Sequence, residues 1–532
     1  MNPFVLKTCY ETIEKVKEHV YSYHQDVMKD FRVKQNNSNG FVLICPKPCQ
    51  FSLRFNKRTD NCYYLTQFHD HTCSEIVNKF KRDHVSKLIR QHSIDYAKIT
   101  PKDAMNLIRT EHGLTASYSQ IRRVLIDAKT NDLHSFTKLE SFLSYHQNVN
   151  VGTHYDCTKN DMSQMTSMFI SFNVSSVAFQ NGLPVIAVNA YPMRDKYNYV
   201  ILLATGLDGN GQLYQLAFAM VPTELKIQHW KYFFSNLKVS LNLDENSSIT
   251  VISDKDEVLI NALKVELPNS HYSYCLLHMG RYLKRKFKFN LNSYIWKVAE
   301  AKTPREVDEG MNEIRLVNQD AYQFLTTVPK ESWVSCYFPV CRYNQLTSNL
   351  GESTNEAEME EIRFLHPFHA LFNYTKIISK EFEQRANIYE EMALQYCPKF
   401  NEFYEAVLPT AKKLRVNKVS RLKVYNVDSS ENSETLRITK LETLWCSCGY
   451  TADSGYLCVH LLAVILFEKG EPISFVNPAF HASTLKKMYS RNIYPCDIEY
   501  LERRDLFGIE VSRKRGRPPH KKFKMDPEEM TS

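Results

Sequence analysis

Four metal-binding side chains close together constrain this chain more than any other feature of its sequence. In LWCSCGYTADSGYLCVHLLAVILF, Cys446 and Cys448 form a C-x-C pair, nine residues intervene, and Cys458 and His460 form a C-x-H pair. Three thiolates and one imidazole make a tetrahedral zinc set with no position left for water. The turn-rich GYTADSG between the pairs can bring them together, and the apolar run after His460 predicts a helix beside them. We therefore predict a closed, structural zinc site.

The pattern C-x-C-x(n)-C-x-H resembles the SWIM zinc finger, and we assign residues 436–480 to this small zinc knuckle. SWIM fingers occur in DNA-binding and protein-binding chains, including Mutator-like transposases. The resemblance therefore implies zinc as a cofactor and leaves a protein partner at the finger open.

The bulk composition is that of a folded protein, with 43% hydrophobic and 24% charged residues. A chain of 532 residues is too long for one core and should form roughly three or four units. No stretch approaches the roughly 18 apolar residues that span a bilayer, so we expect no membrane partner. The start, MNPFVLKTCYETIEKVKEHV, acquires Glu and Lys too early for a secretory signal, so the 14 cysteines should stay reduced and available for metal.

The net charge of +8 is concentrated at one end, because residues 513–524 contain seven Lys or Arg and no acid. Within them stands R-G-R-P, the core of an AT-hook, formed by Arg515, Gly516, Arg517 and Pro518. Two arginines on an extended chain can enter a narrow A·T-rich minor groove, where the potential is most negative. We therefore expect double-stranded DNA as a partner of this tail and the nucleus as the location.

The pattern along the chain predicts a mixed α/β multidomain fold. LPVIAVNAY, YVILLATGL, QLYQLAFAM and SSITVISD are typical strands, whereas ELKIQHWKYFFSNLKVSL and DKDEVLINALKVEL are typical helices. Their alternation indicates a mixed sheet with helices on its faces. The predicted segments are a zinc-binding β-domain (1–78), a helical segment (79–150), the sheet domain (183–355), a helical region (356–435), the zinc knuckle (436–480) and the basic tail (510–532).

A second cluster of metal-binding side chains lies near the N-terminus. FVLICPKPCQFSLRF contributes Cys45 and Cys49, and QFHDHTCS contributes His69, His71 and Cys73. The cluster resembles the WRKY-type zinc-binding β-domain at the front of Mutator-like transposases. That resemblance implies a second structural zinc on Cys45, Cys49, His71 and Cys73, although His69 with His71 is also sterically possible.

A WRKY-type domain inserts a β-edge into the major groove of DNA, with Lys and Arg contacting phosphates. Lys57 and Arg58 fall at a predicted hairpin tip and are candidate phosphate contacts, or simply a solvated turn. The following TPKDAMNLIRTEHGLTASYSQIRRVL predicts two amphipathic helices joined at Gly113, with Thr100 as cap and Pro101 as first residue. It is similar to the helix-turn-helix-like segment that follows the β-domain in the same family.

The sheet domain resembles the transposase domain of Mutator-like elements (MULE), which has an RNase H-type fold. The matching stretches are LLATGLDGNGQLYQLAFAMVPTE, HWKYFFSNL, ITVISDKDEVLINAL, CLLHMGRYLKRKF and TSNLGESTNEAE. In that family three carboxylates hold two Mg²⁺ ions for attack on a phosphodiester. Asp254 and Glu352 match the second and third of these, but Asn189 stands where the family has the first Asp. Because Mg²⁺ sites with few ligands depend on carboxylate charge, we expect a degenerate site with Mg²⁺ and cleavage impaired.

Three other acids could replace the missing carboxylate: Asp195 in a loop, Asp208 in a D-G turn, and Asp256 near the start of a helix. Cys275 and His278 match a C-x-x-H of the family, as a ligand pair or as a half-buried thiol beside a surface His. Residues 281–288 contain five Lys or Arg, which predicts a basic helix that tracks DNA or is simply solvated.

Three functions remain open from the sequence. The first is a zinc-dependent DNA-binding protein derived from a MULE transposase, without cleavage activity. The second is an active Mg²⁺-dependent transposase that uses Asp254, Glu352 and a third ligand. The third is a protein-interaction module built on the SWIM finger, and homo-oligomerisation is open in each case.

Overall fold

The computed structural model describes part of the chain in detail. The described residues are 4–13, 15–17, 19, 20, 23, 31–37, 40–45, 49–73, 101–112, 121, 124, 136–193, 197, 199–348, 362–420, 423–428 and 436–506. The chain divides into two compact units, Met1–Leu133 and His134–Ser532. Within the described residues, no helix combines the length and the apolarity that crossing a membrane requires.

The first unit is built on a five-stranded antiparallel sheet with the order β1-β5-β4-β3-β2. The strands are β1 (Cys9–Tyr10), β2 (Arg32–Asn37), β3 (Gly40–Ile44), β4 (Ser52–Lys57) and β5 (Tyr63–His69). Alternate side chains of β4 are buried, as expected for a sheet with one face on a core. The edge strand β2 is exposed along its whole length.

This sheet lies within residues 1–78, which the sequence predicted to form a β-domain. The sequence RVKQNN of β2 contains one apolar residue, so no alternating pattern announces it. The predicted helix after Thr100 is present as α1 (Pro101–His112) and begins at the predicted proline.

The second unit contains a seven-stranded mixed sheet with the order β12-β11-β8-β9-β10-β7-β6. Strands β8, β9 and β10 form an antiparallel meander, while β11 and β12 run parallel to β8. The strands are β6 (His154–Lys159), β7 (Met165–Ser171), β8 (Leu183–Pro192), β9 (Tyr199–Leu207), β10 (Leu213–Pro222), β11 (Thr250–Ser253) and β12 (His271–Tyr274).

Ten helices accompany this sheet in the described part of the second unit, before the third sheet begins. They are α2 (Leu139–Val149), α3 (Asn173–Asn181), α4 (Ile227–Ser240), α5 (Glu257–Glu266), α6 (Leu276–Phe287), α7 (Asn292–Glu300), α8 (Pro304–Val317), α9 (Gln319–Thr327), α10 (Pro367–Glu390) and α11 (Pro398–Ala411). Both α4 and α10 pack on β10. Burial of β9 and β10 on both faces explains why these strands are continuous apolar runs.

A third sheet carries the zinc knuckle and has the order β13-β14-β15-β16. Its strands are β13 (Arg415–Ser420), β14 (Val424–Asp428), β15 (Leu436–Lys440) and β16 (Trp445–Cys446). They are followed by α12 (Tyr450–Ser454), α13 (Val459–Phe467) and α14 (Ala482–Met488).

The predicted mixed sheet with helices is confirmed, and it is larger than expected. Strands β6 and β7 precede residue 183, where the sheet domain was predicted to start. They were not predicted because HYDCTK and the Ser/Thr-containing MTSMFIS lack a continuous apolar run. The region 356–435, predicted to be helical, contains α10 and α11 but also β13 and β14. These two strands are short and half polar, so their pattern is weak.

A buried ionic network fastens α10 and α14 to the β9–β10 turn. Asp208 accepts the amides of Asn210 and Gln212 at 2.9 and 2.8 Å and the Tyr489 hydroxyl at 2.8 Å. Arg385 donates to the Tyr489 oxygen at 2.6 Å and lies 2.6 Å from a carboxylate oxygen of Glu381. One guanidinium therefore neutralises two acids, and burial raises the pKa of both Asp208 and Glu381.

We predict that Arg385→Met lowers the free energy of unfolding of the second unit by about 3–5 kcal/mol at pH 7, since it leaves two buried acids without a counter-ion. Both carboxyls have folded-state pKa values raised by burial, so their protonation favours the folded state and the stability is lost as the pH rises through those values. The defect should therefore shrink at pH 5. Urea unfolding at both pH values measures it, with Lys376→Met on the exposed side of α10 as the control. Equal losses in the two variants would contradict the prediction.

Candidate functional site

The zinc knuckle brings its four predicted ligands together. Cys446 ends β16, Cys458 precedes α13, and His460 lies in the first turn of α13. The ligand atoms of these residues and Cys448 all lie within 4.8 Å of one another, and the Cys446 sulfur is 3.7 Å from Nδ1 of His460. Thiolates bound to one tetrahedral zinc lie about 3.8 Å apart, so the set fits the ion.

The surroundings of this set favour an ionised sulfur on Cys458, whereas hydrogen bonds to Cys448 and Cys458 raise the pKa of the Cys446 thiol. The amide of Leu461 donates to the Cys458 sulfur at 3.4 Å. Hydrogen bonds from Cys446 and Cys448 lower the pKa of the Cys458 thiol. Burial opposes charge on His460, but its hydrogen bonds to Cys448 and Cys458 raise its pKa to about 9. A divalent cation can replace these shared protons.

The N-terminal cluster also assembles, in the form that contains Cys73. The ligand atoms of Cys45, Cys49, His71 and Cys73 lie within 4.8 Å of one another. The alternative ligand His69 instead ends β5 opposite Ser52 and is exposed. The structure thus groups the preferred set of four.

Two local contacts orient the His71 ring and stabilise the Cys49 thiolate in this second cluster. The ring of His71 stacks on Phe51 with 3.9 Å between centroids and 5° between planes, which fixes its orientation. The Cys49 sulfur accepts the Thr72 amide at 3.3 Å. Burial opposes the Cys49 thiolate, but amide donors from Phe51, Thr72 and Cys73 lower its pKa to about 5. Cys49 is therefore a thiolate at neutral pH.

The carboxyl ends of β8 and β11 form the third candidate site. These parallel neighbours pair Thr250 with Val185 and Ile252 with Ala187. Continuing this register by two residues places Asp254 opposite Asn189. The two residues that the resemblance equates with a metal-binding pair are therefore placed side by side by this register.

Asn189 is buried and hydrogen-bonded through both of its polar atoms. Its amide nitrogen donates to the Ser348 carbonyl at 2.5 Å, and its amide oxygen accepts the Ser348 hydroxyl at 3.1 Å. The same Ser348 donates its own amide to the Cys275 sulfur at 3.3 Å. Asn189 therefore joins a distant segment to the sheet edge, and its pairing with Ser348 could not be predicted because the two residues are far apart in the chain.

The two described acids that were considered as replacements for a first carboxylate, Asp208 and Asp256, both have structural roles. Asp208 follows β9, which is antiparallel to β8, so it lies at the opposite edge of the sheet and belongs to the buried ionic network. Asp256 caps α5 by accepting the amides of Val258 and Leu259, as its sequence position suggested. Asp195 and the family's third carboxylate, Glu352, lie outside the described residues.

Cys275 and His278 lie beside Asp254 and line a cavity of about 90 Å³ with it and Lys255. Burial opposes charge on both side chains, but their mutual hydrogen bond lowers the pKa of Cys275 to about 7 and raises that of His278. Asp254 adds to the shift of His278. The pair is thus a thiol and imidazole that share a proton at the carboxyl edge, and it is not grouped with a third metal-binding side chain in the described structure.

A basic helix leads away from this edge. Arg281, Lys284, Arg285 and Lys288 share one face of α6 or its C-cap and are exposed. Within the described chain none of them forms an ion pair, and Arg285 lines the same cavity as Asp254. The predicted basic helix is confirmed, and it begins directly after β12.

The other residues predicted to contact DNA lie in the β4–β5 hairpin of the first unit and in the basic tail. Lys57 and Arg58 do lie at the β4–β5 hairpin tip, where Arg58 stacks 4.4 Å from the ring centroid of Tyr64. Arg515, Gly516, Arg517 and Pro518 lie outside the described residues.

The geometry defines a multidomain α/β protein with two Cys/His clusters and a mixed sheet whose carboxyl edge carries Asn189 and Asp254. Comparison with protein families identifies two of its parts. Residues 189–282 match the MULE transposase domain, and residues 425–469 match the SWIM zinc finger. The chain therefore carries a MULE transposase domain followed by a SWIM zinc finger. No curated protein matches the chain.

We predict that the purified chain contains two zinc ions, one per cluster. Cys448→Ser and Cys49→Ser should each remove one ion, whereas Cys336→Ser, which changes a thiol outside both clusters, should remove none. Elemental analysis of the purified variants measures the content. Full zinc content in Cys448→Ser would contradict the finger assignment, and full content in Cys49→Ser would contradict the N-terminal one.

We predict that Asn189→Asp destabilises the metal-free protein by about 1–3 kcal/mol, because a carboxylate would face the Ser348 carbonyl in place of an N–H donor. Added Mn²⁺ should restore stability to this variant, since two carboxylates would then face each other at the edge. Thermal unfolding in chelator and in Mn²⁺ measures both effects, and the exposed Asn246→Asp is the matched control. Unchanged stability of Asn189→Asp in chelator would rule out the role given to the amide.

Proposed function

We propose that this chain is a zinc-dependent DNA-binding protein derived from a MULE transposase that retains the fold without cleaving DNA. The observation that carries this proposal is the double hydrogen bond between Asn189 and Ser348, at the strand position opposite Asp254. Because both polar atoms of the Asn189 amide are hydrogen-bonded to Ser348, the side chain supplies neither the charge nor the free oxygen of a metal-binding carboxylate.

The described edge does not fit a pair of Mg²⁺ ions. Asp254 is the carboxylate at the end of β11, and its neighbours in the cavity include Lys255 and His278. A basic and hydrogen-bonded surrounding disfavours a hard cation that needs several carboxylate oxygens. An active transposase remains the alternative, and it would require a third ligand besides Asp254 and Glu352.

The strand order supports the transposase origin in finer detail. An antiparallel meander β8-β9-β10, continued on the other side of β8 by parallel β11 and β12, is the arrangement expected of an RNase H-type sheet. The family match covers the residues from Asn189 to Tyr282, which include both edge positions and the start of α6. The altered residue thus lies within the matched domain.

Three surfaces support DNA as the partner. The basic face of α6 starts at the carboxyl edge and has no acidic partner in the described structure, so phosphates can neutralise it. The exposed edge strand β2 carries Arg32, Lys34 and Gln35, donors that suit base edges in a major groove. The AT-hook sequence of the tail would add minor-groove contacts, and its basic cluster supports a nuclear location.

Binding to duplex DNA as a function of salt tests the proposal. We predict that the logarithm of affinity falls linearly with the logarithm of salt concentration, and that Arg281→Gln, Lys284→Gln and Arg285→Gln together reduce the slope by about 2–3. Fluorescence anisotropy measures both slopes. The matched control removes the same charge elsewhere through Lys412→Gln, Lys413→Gln and Arg415→Gln.

The two measurements test DNA binding and the assignment of α6 as the DNA contact separately. A flat salt dependence of the unmodified chain would contradict DNA binding. Binding with an unchanged slope in the α6 variant would contradict only the assignment of α6 as the contact.

A further inference from the structure

The loop between the two ligand pairs of the finger fits closely against distant parts of the chain. It begins and ends at Gly449 and Gly455, which have φ values of 73° and 70°. A Cβ atom on Gly449 would lie 2.5 Å from the Lys302 carbonyl oxygen, and one on Gly455 would lie 2.7 Å from the Tyr343 ring. Both glycines are therefore required by the fit of the loop as well as by its turns.

Between these glycines, Asp453 closes a buried ionic network. Its carboxylate pairs with Lys302 and lies 3.9 Å from Nε of Arg342. Asp453 and Arg342 are both buried. Burial lowers the pKa of Arg342 to about 10, and Asp453 is the anion that opposes this shift. The finger therefore supplies the counter-charge of a guanidinium that belongs to another part of the chain.

Arg342 extends this network to the transposase sheet. Its guanidinium donates to the Ser273 hydroxyl on β12 at 3.2 Å, to the Trp333 carbonyl at 3.1 Å and to the Ser335 hydroxyl at 2.8 Å. The backbone carbonyl of Asp453 also accepts the Asn344 amide at 3.4 Å. The finger loop is thus joined to the segment 341–348 through both side-chain and main-chain atoms.

The same segment 341–348 ends at the carboxyl edge of the sheet. The Leu346 carbonyl accepts the amide of Leu276, the first residue of α6, at 3.0 Å. Two residues further on, Ser348 makes its contacts with Cys275 and Asn189. One continuous stretch of eight residues therefore connects the finger loop with Asn189.

We propose that the SWIM finger is an internal brace: its zinc-held loop, through Asp453, fixes segment 341–348 and thereby the Ser348–Asn189 contact at the carboxyl edge. Loss of zinc from the finger frees the loop, removes the counter-charge of Arg342 and loosens the edge. The brace does not depend on DNA binding. It assigns Asp453 as a positioning residue and gives the finger a role within the chain instead of at a partner protein.

Hydrogen–deuterium exchange of the full chain tests the brace. In Asp453→Asn, the zinc content should stay at the unmodified level, while exchange of peptides covering 341–348 and 183–192 should rise at least about tenfold. Glu468→Gln is the matched control, because it changes an exposed acid of the same finger that pairs with Lys418 on the surface. Cys448→Ser should accelerate exchange in the same two segments by removing the metal.

The result that overturns the proposal is Asp453→Asn with full zinc content and unchanged exchange in 341–348. If that variant fails to fold, Lys302→Gln provides the same test from outside the finger, since it removes the other member of the buried pair. Faster exchange of 341–348 in Lys302→Gln supports the brace, and unchanged exchange overturns it.

Discussion

The contact between Asn189 and Ser348 is the interaction that holds segment 341–348 at the carboxyl edge of the sheet. A carboxylate at position 189 of β8 would repel the Ser348 carbonyl unless a cation lay between them, whereas the amide donates to it directly. The edge is thereby held together by hydrogen bonds that need no metal. The amide of Asn189 therefore stabilises the described edge without a carboxylate at this position.

This arrangement links parts of the chain that the family comparisons treat separately. The transposase match and the SWIM match are distinct stretches, yet Asp453 of the finger and Ser273 of β12 both contact Arg342. Zinc binding by a knuckle is worth on the order of 10 kcal/mol of folding free energy. The buried network around Arg342 joins the finger to the neighbouring sheet, so the proposed brace would couple zinc binding to the stability of the sheet.

The sequence predicted the features that depend on short-range residue patterns, namely the zinc ligands and the buried strands. Spacing alone identified Cys446, Cys448, Cys458 and His460, and apolar runs identified β8 to β11, because ligand pairs and buried strands are short-range signals. The strands β2, β6 and β13 were missed because their residues are largely polar. Ser348, Arg342 and Asp453 could not be found either, since their roles come from contacts between segments far apart in the chain.

An assay of DNA cleavage tests most directly whether the chain has lost cleavage while retaining DNA binding. Purified chain is incubated with labelled duplex DNA in Mg²⁺ or Mn²⁺, beside Asn189→Asp and Glu352→Gln. We predict no cleavage by the unmodified chain, which leaves Asn189 as the break in the site. Cleavage by the unmodified chain that Glu352→Gln abolishes would contradict the account and identify an active transposase.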